Sequence, residues 1–193
     1  MPWQQSLISK LSLSCKRLAL GLLAIAISLT VWISPVAATI NDDSYEGSIY
    51  VLFAGNGSLV PPRMDLATSL KREKPAILIF YIDDSSDCKQ YSIEVNRLQE
   101  FYGRAASLIP VSVDSLNKDE YSPTEAGYYY SGVVPETVIL DQQGEVVYDG
   151  KGRVPYEEVD DVLRKVFNLL PRAESEVLKR RPFNEFNAEI TSD

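Results

Sequence analysis

From Ala76 to Ile82 the chain runs Ala-Ile-Leu-Ile-Phe-Tyr-Ile, seven residues of almost unbroken apolar and aromatic character. Such a run predicts a central strand covered on both faces. After polar Asp83-Asp84-Ser85-Ser86-Asp87, apolar residues return at Tyr91, Val95, Leu98, Phe101 and Tyr102. Their spacing of three and four predicts a helix from about Ser86 to Tyr102, with Gly103 as its stop. Leu108 to Asp114 predicts a further strand, in which Pro110 belongs at an edge or an irregularity. Ser122-Pro123-Thr124-Glu125 is a capping box with proline at the first helical position. It predicts a short helix through Tyr130, ended by Gly132. Val133 to Tyr148 predicts a proline-led strand, a tight turn at Asp141-Gln142-Gln143-Gly144 and a second strand. Pro155 to Leu170 predicts the last helix, with Val159, Val162, Leu163, Val166, Phe167 and Leu170 on one face and Pro171 beyond it.

Upstream the pattern is weaker. Ser48 to Phe53 has strand character and Gly55-Asn56-Gly57 marks a turn. Pro61-Pro62 blocks regular structure, Met64 to Leu70 predicts a short helix, and Lys71 to Lys74 is a charged break. The order is therefore strand, helix, strand, helix, strand, helix, hairpin, helix. A crossover joins the two central strands and an antiparallel pair closes the sheet, an α/β sandwich with a mixed sheet.

The N-terminus changes the picture. Leu18 to Ile33 is a 16-residue apolar run preceded by Lys16 and Arg17 and followed by Ser34-Pro35-Val36-Ala37-Ala38. A positive region, an apolar core and small residues form a leader with a cleavage point after Ala38. Extended to Ala38 the run approaches the ~20 residues of a membrane span, so a cleaved signal and a retained anchor both stand. In either case the preceding positive charges keep the N-terminus in the cytoplasm and the body crosses the membrane. The expected organisation is a signal peptide or anchor over 1–38, an N-terminal extension or strand over 39–63, the α/β domain over 64–170 and a charged tail over 171–193. Phe183 and Phe186 sit in that tail.

Composition narrows the chemistry. The chain has 193 residues, 27 acidic and 19 basic, and no histidine. Histidine triads and histidine-rich metal sites are thereby excluded, which leaves carboxylates, Lys, Tyr and Cys for any catalysis. Lys10, Lys16 and Arg17 lie in the leader, which has no acid, so the body is more acidic than the whole. Such a body is a poor partner for nucleic acid or anionic lipid. Of the two cysteines, Cys15 lies in the leader and Cys88 stands alone in the body, so no internal disulfide and no cysteine zinc site can form there. Asp83, Asp84 and Asp87 flank Cys88. They predict capping of the helix that begins at Ser86 and a negative field that disfavours a Cys88 thiolate. A divalent cation there would lack further oxygen ligands, so neither a metal nor a cofactor is expected.

Two stretches carry a family resemblance. Lys74-Pro75-Ala76-Ile77-Leu78-Ile79-Phe80-Tyr81 is similar to the strand leading into a thioredoxin active site. Val134-Pro135-Glu136-Thr137 followed by Asp141-Gln142-Gln143-Gly144 is similar to membrane-tethered extracytoplasmic thioredoxins. The resemblance covers about Leu66 to Leu170 and implies a thioredoxin-like fold. It also implies that Pro135 is cis and that Val134 offers its backbone to a partner polypeptide. The run Tyr128-Tyr129-Tyr130 offers side chains to line that groove, Tyr130 among them, or to pack between helix and sheet, as at least one of the three is expected to do. The family's Cys-x-x-Cys falls on Ser85-Ser86-Asp87-Cys88. Cys88 then matches the second, buried cysteine, Ser85 replaces the exposed nucleophile, Asp84 the usual Trp and Ile79 the buried acid. Serine forms no disulfide, so dithiol exchange is lost. The layout resembles the cyanobacterial thylakoid membrane photosystem I accumulation factors. That resemblance implies a domain on the lumenal side of the thylakoid membrane (or in a periplasm), with photosystem I subunits or other thylakoid proteins as partners. Two functions follow: an assembly factor that binds polypeptide in the groove, and a monothiol oxidoreductase using Cys88. A peroxide-directed enzyme ranks last, since the Thr/Cys and Arg arrangement of peroxidases is missing.

Overall fold

The computed structural model describes residues 39–118 and 120–175. The leader and the tail aromatics Phe183 and Phe186 lie outside the described residues. The elements in order are α1 (Ile49–Leu52), α2 (Leu66–Lys71), β1 (Ala76–Tyr81), α3 (Ser86–Tyr102), β2 (Ser107–Ser112), β3 (Glu136–Leu140), β4 (Val146–Lys151) and α4 (Tyr156–Val166). Single 3-10 turns at Gly57–Leu59, Val113–Ser115, Ala126–Tyr129 and Arg172–Glu174 connect them.

The strands form one mixed sheet in the order β2-β1-β3-β4. β1 pairs parallel with β2 and antiparallel with β3, and β3 and β4 form the hairpin. β1 is buried at every position, as its unbroken apolar run requires of a strand with both faces covered. Its alternate residues serve two cores. Ile77, Ile79 and Tyr81 pack with α1, α3 and α4, while Ala76, Leu78 and Phe80 pack with α2 and the turn around Tyr129 and Tyr130. Pro110 sits on β2, an edge strand, where a missing N–H costs least. In the hairpin turn Asp141 Oδ1 accepts from the N–H groups of Gln143 (2.9 Å) and Glu145 (3.0 Å). Gly144 takes φ +80° there, a conformation that glycine alone adopts cheaply.

Four expectations need correction. Ser48 to Phe53 forms the helical turn α1 rather than a strand. Asp83 Oδ1 accepts from Ile49 N–H at 3.0 Å, and the adjacent Ile49 and Tyr50 are both buried. Neighbouring residues can share a buried side on a helix but not on a strand, where side chains alternate. Tyr50 also meets Tyr81 edge-on at 5.0 Å. β2 is therefore the sheet edge, in keeping with Pro110 within it.

The box at Ser122 closes, with Glu125 Oε2 accepting from Ser122 N–H (3.0 Å) and Oγ (3.1 Å). Only the 3-10 turn Ala126–Tyr129 follows, however, because Glu125 before it and Tyr130 after it both take extended backbone. The last helix stops at Val166, four residues early, since Asn168 adopts φ +52°. Leu169 and Leu170 are consequently exposed. Finally, none of Asp83, Asp84 and Asp87 supplies the α3 cap. That cap comes from Ser85 and, across the fold, from Asp43.

Candidate functional site

The N-terminus of α3 carries one half of the site. Ser85 is its N-cap, and its hydroxyl accepts from Cys88 N–H at 3.3 Å. Asp43 Oδ1 accepts from Ser86 N–H at 2.8 Å. Two of the helix's orphan donors are thus satisfied by side chains. Ser85 stands where the resemblance places an attacking thiol, and its oxygen is engaged in capping.

Cys88 is a free cysteine and only 1% exposed. Burial pushes its thiol up from the ordinary value. Hydrogen bonds from the Ile82 backbone and Ser85 oppose that shift, and the charges of Asp87 and Asp84 add to it only as smaller effects. The thiolate is therefore disfavoured mainly by desolvation, not by the acids that the sequence puts beside it. Those acids are engaged elsewhere: Asp83 holds α1, and Asp87 lies 3.2 Å from Arg153 Nε. Among the described residues no group of acids or thiols is arranged to hold a metal ion. Ile79, at the position of the family's buried acid, is 1% exposed in the core.

The loop before β3 carries the other half. The Val134–Pro135 peptide is cis. Pro135 is buried, and its carbonyl accepts from Gly152 N–H at 2.8 Å. Among the described residues no backbone group pairs with Val134, which is half-buried between the two cores. Val133 beside it is 43% exposed. The three tyrosines part company. Tyr128 is exposed and edge-on to Tyr129, whereas Tyr130 is half-buried with its ring 5.2 Å from Phe80. The Tyr130 hydroxyl is pushed up first by burial, then by Glu136 and Cys88.

Two charged residues went unnoticed in the sequence reading. Glu136 directly follows the cis proline and is fully buried. Its Oε2 accepts from Ser131 N–H at 2.9 Å, and Oε1 has no partner among the described residues. Lys89, next to Cys88, is also fully buried. Its ammonium donates to the carbonyls of Thr39 and Asp42 and to Asp42 Oδ1, at 3.0, 3.0 and 3.1 Å. A charge directly before or after a motif residue is the available signal, but helical periodicity assigns Lys89 to neither face with certainty because its partners lie about 47 residues away.

A thioredoxin-like domain family matches residues 62–167. A thylakoid membrane protein of Synechocystis sp. is 57% identical over 154 residues, covering 79% of this chain and 77% of that protein. The chain belongs to the thioredoxin-like family. Two solved thioredoxins are similar to it at lower identity. Thioredoxin-2, a component of the malaria parasite protein secretion machinery, is 18% identical over 48% of this chain and 82% of its own, with a TM-score of 0.41. The germline-specific thioredoxin Deadhead of Drosophila melanogaster is 20% identical over 52% of this chain and 93% of its own, with a TM-score of 0.41. The site of this thioredoxin-like protein thus pairs an ordered cis-proline loop with a serine where the dithiol chemistry begins.

Proposed function

We propose that this protein is a polypeptide-binding assembly factor on the lumenal side of the thylakoid membrane, and that it supports photosystem I accumulation without dithiol turnover. The thylakoid membrane relative and the thioredoxin-like domain support the coarse reading. One observation carries the finer one: the body's single thiol is 1% exposed, and the residue in the attacking position is spent as a helix cap. The binding half, by contrast, presents Val134 with an unpaired backbone beside exposed Val133 and half-buried Tyr130. An extended segment can add to such a loop by main-chain hydrogen bonds, with side chains seated on either side. Cys88 as a working monothiol would need both access and a lowered pKa, and burial opposes both.

The test is recovery of photosystem I subunits with the tagged protein from detergent-solubilised thylakoids. Wild-type protein is expected to retain them, and Val134→Asp, which puts a charge in the groove, to lose them while remaining folded. Equal recovery by Val134→Asp, or no recovery by wild type, contradicts binding at this groove.

A further inference from the structure

β2 has a neighbouring strand on one side only. Ser107 N–H donates inward to Pro75 O at 2.8 Å, and main-chain groups alternate in direction along a strand. Ile109 and Val111 therefore bond β1 as Ser107 does, while the main-chain groups of Leu108, Pro110 and Ser112 face away from the sheet. The upstream chain crosses the start of that edge, where Ser107 Oγ meets Met64 Sδ at 3.7 Å. At its end Ser112 O accepts from Ser115 Oγ at 2.6 Å. Among the described residues nothing pairs with Pro110 O or Ser112 N–H.

Beside these two groups lies a second groove, of about 540 Å³, which follows Ile109–Ser112 and is walled by Pro62 and Ala67 on one side and Ala126 on the other. Four strand residues give it a length of roughly 13 Å. The charged side chains that line it are Asp65 and Glu125, with no lysine or arginine among them. Glu125 is paired with Lys118. Asp65 accepts from Thr68 N–H at 2.8 Å and has no ion-pair partner among the described residues.

An unpaired edge is a template for a further strand. One edge of an extended chain supplies both missing partners, an N–H for Pro110 O and a C=O for Ser112 N–H. Its alternate side chains then turn toward the groove. A second copy of this chain is the poorer partner, because two β2 edges paired about Pro110 would find no N–H at that residue on either side. We propose that the open edge of β2 and its groove take up an extended segment of a different polypeptide as an added strand, one with small apolar side chains and a lysine or arginine next to them. The main chain gives the segment its conformation, the groove selects its apolar side chains, and Asp65 selects its charge. Nothing in this depends on Val134.

The probe is a fluorescein-labelled nonapeptide of alternating threonine and valine with a lysine at each end. It is titrated with the full chain in mild detergent and read by fluorescence anisotropy, and saturable binding is expected. N-methylation of one alternate set of its amides is expected to weaken binding by about fivefold or more, and of the other set to leave it unchanged, since only one edge of the peptide meets Pro110 O. This comparison needs no variant of the protein. Ala67→Arg, at an exposed helix position on the groove wall, fills the groove and repels the lysines, and a loss of about tenfold is expected. Asp65→Asn keeps the helix cap. It is expected to cost about threefold against the lysine-ended peptide and nothing against a glutamine-ended one. Val147→Thr, on the opposite sheet edge, is expected to change nothing. Absence of binding, the same response to both methylated peptides, or an affinity that Ala67→Arg does not move overturns the proposal. Loss with Val147→Thr does so too, by placing the peptide on β4, as does self-association of the chain that Ala67→Arg abolishes. A lysine-ended peptide bound no better than a glutamine-ended one overturns the selection of charge.

Discussion

Ser85, Lys89 and Asp160 show how single side chains decide what this thioredoxin-like protein can do. Ser85 accepts from Cys88 N–H and so caps α3. Ser85→Ala should cost about 1 kcal/mol, the usual worth of an N-cap. Urea denaturation checks it, and no loss at all would mean that Asp43 alone suffices. Lys89→Met should cost roughly 3 kcal/mol in the same denaturation, because it leaves the shielded Glu46 without its cation. Asp160 accepts from Tyr102 (2.5 Å), Tyr156 (3.2 Å) and Arg164 Nε (2.8 Å) while 3% exposed. Burial works to raise its pKa, but the hydrogen bonds from Tyr102 and Arg164 outweigh burial and hold it below the ordinary value. The Ser-x-x-Cys pattern and the lone cysteine were legible from residue identities. The pairings of Lys89 with Asp42, of Asp43 with Ser86 and of Asp160 with Tyr102 were not, because each spans more than 40 positions, and pairing over such separations leaves no local pattern.

The elements were most legible where one physical demand dominated. β1 and α3 sit where the unbroken apolar run and the 3-4 spacing put them, since burial on two faces and on one stripe are strong constraints. Prediction went astray where tertiary contacts overrode local pattern. Asp83 and Tyr81 turn the apolar Ser48–Phe53 stretch into α1. The β3–β4 turn depends on Gly144, at φ +80° with Leu70 Cδ2 only 3.0 Å from where a Cβ would stand. Gly144→Ala should therefore destabilise by about 1 kcal/mol or more, seen as a lower urea midpoint with unchanged slope. An unchanged midpoint would mean that the hairpin relaxes around the methyl group.

At the largest scale the described residues form a two-core α/β domain whose stability should follow the Asp160 cluster at low pH. A carboxylate with a depressed folded pKa adds stability above its unfolded value of about 3.9, and that stability is lost as pH falls through the folded value. Urea midpoints measured from pH ~5 down to pH ~2 should fall, and Asp160→Asn should flatten that fall after lowering the plateau. A parallel fall in the variant would assign the acid limb to other carboxylates. Among the described residues no helix is long and apolar enough to cross a membrane. Fold and family followed from sequence because one sheet and one cis-proline loop organise the domain. The working state of the thiol did not, because burial of Cys88 is a property of the assembled cores. The most direct measurement is photosystem I accumulation in a strain whose only copy of this protein carries Cys88→Ser. Polypeptide binding without thiol chemistry predicts the wild-type level of photosystem I; a fall to the level of the deletion strain, with the variant protein present and folded, would contradict it.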